Sequence, residues 1–105
     1  MTKPQQKLDA KAREAQILAA SLKLAESIGY TRVTLQQIAD AAGVAKSLPL
    51  VYFGTMAGWR RKLMREAVRS GNLKVIAQGL AASDPHAKKA PDALRQQAAA
   101  TLCAA

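Results

Sequence analysis

Cysteine, histidine and aromatic residues are nearly missing from this chain: Cys103 and His86 stand alone, and the aromatic set is Tyr30, Tyr52, Phe53 and Trp59. One cysteine excludes an intrachain disulfide and a cysteine-based metal cage. One histidine excludes multi-histidine zinc sites within a single chain and leaves any Ser/His or Cys/His nucleophile pair only His86 to draw on. Acidic residues are also scarce, 7 against 16 Lys and Arg. Asp9, Glu14, Glu26, Asp40, Glu66, Asp84 and Asp92 are scattered, with no pair at a useful helical spacing, and no Gly-rich phosphate loop is present. These gaps argue against an enzyme and leave no catalytic, metal or cofactor residue to nominate. No apolar run approaches the roughly 18 residues needed to cross a bilayer. The polar opening Met1-Thr2-Lys3-Pro4-Gln5-Gln6 lacks the apolar stretch of a secretory signal. A cytoplasmic location is therefore expected, with no membrane partner.

What the chain has in quantity is positive charge and alanine. A formal charge of +9 on 105 residues points to a polyanion, either nucleic acid or an acidic membrane or protein surface. Half of the residues are hydrophobic, and much of that half is alanine. Alanine favours helix but adds little buried area per residue, so the composition predicts an all-α chain with a thin core.

Periodicity divides the chain. Ile17, Leu18, Ser21, Leu22, Leu24, Ala25 and Ile28 recur at three- and four-residue intervals, which predicts a helix over residues 11–28, with Asp9 as cap and Gly29 as stop. After the connector Tyr30-Thr31-Arg32-Val33, Thr34 and Gln37 have the spacing of a capping box for a two-turn helix ended by Gly43. Val44 sits at the following turn, and residues 45–53 make a second short apolar segment containing Pro49. Short helix, glycine turn, short helix is the outline of a helix-turn-helix. A longer helix follows over residues 55–69, with Trp59, Leu63 and Ala67 on one side and Arg60, Arg61, Lys62, Arg65 and Arg69 elsewhere. Ser70-Gly71-Asn72 predicts a break before an apolar run over 73–80. Asp84-Pro85 then opens a loop, and Pro91 begins a last Ala-rich helix that frays. The division expected is a flexible basic arm (1–10), a helix-turn-helix domain (11–69) and an extension of one or two further helices (70–105) that can serve dimerisation.

The register Ile17-Leu18-x-Ala20-x-Leu22-x-Leu24-x4-Gly29-Tyr30-x3-Thr34-x3-Ile38-Ala39-x2-Ala42-Gly43-Val44, followed by Tyr52-Phe53, resembles the N-terminal DNA-binding domain of the TetR (tetracycline-repressor-like) family. The resemblance spans roughly residues 11 to 59. It implies a homodimeric repressor on a palindromic operator, with two recognition helices entering successive major grooves of double-stranded DNA about 34 Å apart. It places Thr34, Lys46, Ser47 and Tyr52 where the family contacts phosphate or bases, Gln36, Leu48 and Val51 at base-facing positions, and Leu35, Ile38, Val44 and Phe53 in the core. The sequence departs from the pattern in the recognition segment. Pro49 stands where a core Leu is usual, Leu50 where a phosphate-binding Tyr is usual, and Met56 replaces a Lys. Pro49 leaves two arrangements open: a helix that begins late, with Ser47 as cap, or a kinked one. The cluster Arg60, Arg61 and Lys62 is the candidate to replace the lost phosphate contacts. About 46 residues follow Trp59, too few for the family's usual ligand-binding domain, so no small-molecule effector is expected.

Structural readings stand beside these. The cations of residues 60–69 also suit the solvated face of a packed helix, Gln36 an ordinary helix surface, and Tyr52 a packing residue with a wet hydroxyl. Lys3, Lys7, Lys11 and Arg13 suit either a DNA-following arm or a disordered tail. An alternative function is a helix-turn-helix retained as a protein-interaction module, in which Pro49, Leu50 and Val51 meet an apolar or acidic protein partner.

Overall fold

The computed structural model describes residues 10–104, with side chains through residue 102, and these form helices joined by turns. The Asp9 cap, the basic arm before Ala10 and the side chain of Cys103 lie outside the described residues.

Helix α1 (Ala10–Ile28) buries Ile17, Ser21 and Ala25, one face at four-residue spacing. Helix α2 (Leu35–Ala42) begins in the expected capping box: the Thr34 hydroxyl accepts from the Gln37 amide, and the Gln37 side chain accepts from the Thr34 amide. It ends at Gly43, whose φ of 69° is left-handed. Helix α3 (Leu48–Phe53) settles the Pro49 alternatives in favour of the late start. Proline lies in the opening turn, where its missing N–H would have had no helical partner, and it is fully buried. It thus fills the core position of the leucine it replaces. Ser47 holds the cap position, but its hydroxyl makes no cap hydrogen bond.

Helix α4 (Met56–Ser70) is capped by Thr55, whose hydroxyl accepts from the Gly58 amide at 2.9 Å. Helix α5 (Leu73–Ala81) is capped by Asn72, which also donates to Glu26 of α1 at 2.6 Å. Residues expected to form a loop instead make a single helical turn, α6 (Pro85–Lys88). Asp84 accepts from the His86 and Ala87 amides, Pro85 supplies a preset φ, and Ala87 is buried. Helix α7 (Asp92–Ala104) closes the described chain. The extension thus contributes two helices and one turn of a third.

One core runs through all of this. Ile17, Ile38, Phe53, Trp59, Leu63 and Met64 belong to the same buried cluster as Val75, Ile76, Ala87 and Ala98. Ala25, Ala67, Ala77, Ala87 and Ala98 are interspersed among the larger side chains, and polar links cross the core. The Trp59 indole donates to the Ser21 hydroxyl (2.9 Å), which itself donates to the Leu18 carbonyl. Tyr30 is part of this core and not merely a connector. Its amide donates to Gln78 Oε1 at 2.8 Å, Gln78 Nε2 donates to the Ala25 carbonyl, and the Tyr30 hydroxyl donates to Asp84 Oδ2 at 3.0 Å. Helix α5 and its exit therefore hold the chain between α1 and α2.

Two expectations follow from this packing. A Cβ at residue 58 would lie 2.1 Å from the Phe53 carbonyl oxygen, backbone that cannot swing aside. Gly58→Ala is expected to destabilise the protein by roughly 1–3 kcal/mol, the usual cost of overpacking, read as a lower urea midpoint. Burial first, then the hydrogen bond to Asp84 and its charge, push the Tyr30 pKa from 10.0 up to about 12, with Arg60 opposing. Because the folded value lies above the unfolded one, the stabilisation is complete below pH 10.0 and lost as the pH rises towards about 12. The melting-temperature advantage of wild type over Tyr30→Phe should shrink across that window; parallel pH curves would contradict the assignment.

Candidate nucleic-acid interface

The turn between α2 and α3 is made by left-handed Gly43, by the Val44 amide donating to the Ala39 carbonyl (3.0 Å), and by the Leu48 amide donating to the Ala45 carbonyl. Val44 is half-buried against the core, and Lys46 and Ser47 stand in solvent. On α3 the 100° helical step puts Pro49 and Phe53 inward, and both are buried. Ser47 and Val51, four residues apart, share the opposite face and are exposed. Leu48 and Tyr52 flank this face and are half-buried, packed partly against the core.

At the start of α2, Thr34 and Gln36 are exposed. The Gln36 amide nitrogen donates to Asp40 Oδ1 at 2.8 Å. That bond uses one of the two N–H groups of the Gln36 amide and leaves the other, with the carbonyl oxygen, for other partners.

Residues 60–62 do not form one patch, because consecutive helical side chains fan around the axis. Arg61 is exposed, whereas Arg60 is half-buried and turned so that its charge is felt at Tyr30. Lys62 is committed to the fold. Its Nζ meets Glu14 Oε2 at 2.6 Å and the Tyr52 carbonyl at 3.4 Å, and lies 5.7 Å from the centre of the Phe53 ring. One cation thus joins α1, α3 and α4.

Arg32 is a residue that the sequence reading passed over. It is exposed two positions before the Thr34 cap and lines a surface cleft with Ser27, Ile28 and Gln37. A cation beside a capped helix start was the available signal. The carboxylates are tied to neighbours: Glu14, Glu26, Asp40, Glu66, Asp84 and Asp92 each bond a neighbouring side chain. Among the described residues, Lys62, Arg69 and Arg95 are the cations in ion pairs. Lys46, Arg32 and Arg61 face solvent outside those pairs.

Residues 17–58 match the model of a family described as bacterial regulatory proteins, tetR family. The match ends at Gly58, where α4 closes on α3. No curated protein and no solved structure matches the chain.

The capping box gives a stability test that is separate from any binding role. Thr34→Ala should cost about 1 kcal/mol in urea denaturation, while Thr34→Ser, which keeps the accepting hydroxyl, should lie close to wild type.

Proposed function

From residues 17–58 as a tetR-type N-terminal helix-turn-helix domain, we propose that this protein is a sequence-specific DNA-binding transcription regulator, acting in the cytoplasm as a homodimeric repressor on a palindromic operator. The observation that carries this reading is the division of α3 into an anchored inner face, Pro49 and Phe53, and an outer face carrying Ser47 and Val51 beside exposed Lys46. A short helix fixed on one side and open on the other suits entry into a major groove.

In this reading Lys46, Arg32 and Arg61 engage phosphate, Thr34 and Tyr52 lie along the backbone, and Gln36, Ser47, Leu48 and Val51 approach base edges. Arg60, being half-buried, contributes at the margin. Residues 70–105 supply the dimer contact, with Leu102 of α7, 43% exposed, at its centre. The two copies of α3 then stand about one helical turn of DNA apart. No small-molecule effector enters this scheme.

Exposed Val51 also favours the second reading, an apolar protein-interaction surface. The two separate in one experiment, the anisotropy of labelled duplexes titrated at several salt concentrations. DNA binding predicts a steep loss of affinity with salt and a preference over random duplex. Binding without either, together with retention of one stoichiometric protein partner, would support the interaction module. Lys46→Ala is expected to weaken binding about equally across sequences and to lower the salt slope by about 1, with unchanged circular dichroism.

A further inference from the structure

Val51 is 72% exposed, whereas the other exposed large hydrophobic among the described residues, Leu102, lies on α7. Leu48, Leu50 and Tyr52 on the same short helix are half-buried. From this placement we infer that Val51 reads the C5-methyl group of a thymine, fixing a T·A pair at one position of each half-site. The inference rests on the DNA-binding reading and adds to it the base recognised.

The chemistry of the groove selects the base. A valine side chain neither donates nor accepts a hydrogen bond, so it cannot satisfy the N7 and O6 acceptors of guanine or the amino groups of cytosine and adenine. Pressed against any of these, it strips water from a polar edge and returns nothing. The thymine methyl is the apolar feature that the major groove offers. Val51 therefore favours thymine by burying a methyl group and disfavours the alternatives by desolvation, so attraction and rejection act together.

The geometry supports a single contact of this kind. Leu48, three residues before Val51, lies beside it and supplies an apolar flank for the same methyl group. Ser47, one turn earlier on the outer face, has a hydroxyl that makes no cap bond and can serve the neighbouring pair or phosphate. The inner residues Pro49 and Phe53 fix the rotation of the helix, so Val51 has one direction in which to point.

The test isolates the methyl group. The full-length protein selects its preferred duplex from a randomised pool, and each thymidine of that duplex is then replaced singly by deoxyuridine, which differs only in lacking the C5-methyl. One position, with its symmetry mate, should weaken wild-type binding about fourfold, the worth of one buried methyl group. Val51→Ala, a change at an exposed site that leaves the melting temperature unaltered, should lose most of the difference between the thymidine and deoxyuridine duplexes. A selected site with no deoxyuridine-sensitive position overturns the assignment and leaves sequence-specific DNA binding standing. Sensitivity that persists undiminished in Val51→Ala does the same. A pool from which no preferred sequence emerges overturns both the assignment and the DNA-binding reading, as does retention of a protein partner without DNA.

Discussion

The closure of α4 on the Phe53 carbonyl holds the exposed face of α3 in position. A helix of six residues is far too short to be stable alone, so α3 keeps its shape only through what it touches. Pro49 and Phe53 are buried beneath it. The chain then turns so sharply that the Thr55 amide donates to the Phe53 carbonyl at 2.9 Å, and the first turn of α4 passes so close that residue 58 has no room for a side chain. From that point α4 carries Trp59 into its bond with Ser21 of α1, and Lys62 into its bonds with Glu14 and the Tyr52 carbonyl. The direction in which Val51 and Ser47 point is thus set by α1 and α4 as much as by the sequence of α3 itself.

Alanine takes a third of the buried cluster, where it adds little area per residue, and side-chain hydrogen bonds across helices add to the packing. Tyr30, Gln78, Asn72 and Asp84 link α1 and the start of α2 to α5 and its exit. These bonds have a second effect, because they occupy carboxylates: Glu26 and Asp84 are used in packing, Glu14 in fastening α4. The carboxylates are tied to neighbours while Lys46, Arg32 and Arg61 stand in solvent outside the ion pairs, so the surplus of cations in the composition is carried on the surface.

Local chemistry was readable from the sequence; close approach between distant residues was not. The limits of α1 and α2 follow from periodicity, from the Thr34/Gln37 spacing and from Gly43, all decided within a few residues of chain. The outward placement of Lys46 and Ser47 follows in the same way from a turn that needs neither side chain. Pro49 left two arrangements open because its effect depends on where the preceding turn ends, and that is settled by its burial in the folded chain. Tyr30 looked like connector because its partners, Gln78 and Asp84, lie 48 and 54 residues away. Gly58 carried no signal, since the oxygen that excludes a side chain there becomes a neighbour only after folding. The basic run at 60–62 overstated a patch: the helical step alone separates its members, but only packing reveals that Lys62 is tied down and Arg60 half-covered. Base contacts are a further remove from the sequence, because they depend on a second molecule.

In the proposed DNA-binding reading, the apolar character of α3 divides the work of recognition. Phosphate contacts from cations supply affinity that is strong, dependent on salt and nearly blind to sequence. If α3 also carried arginine or lysine outward, its own charge would add to that blind component. A serine and a valine on the outer face add almost nothing to it, so their contribution falls mainly on discrimination between sites. The proline in the opening turn serves the same end: it restricts the backbone before the helix docks and reduces the conformational freedom left to lose. On that proposal, a rigid, uncharged outer face of α3 held against a cationic frame lets affinity and specificity be set by different residues.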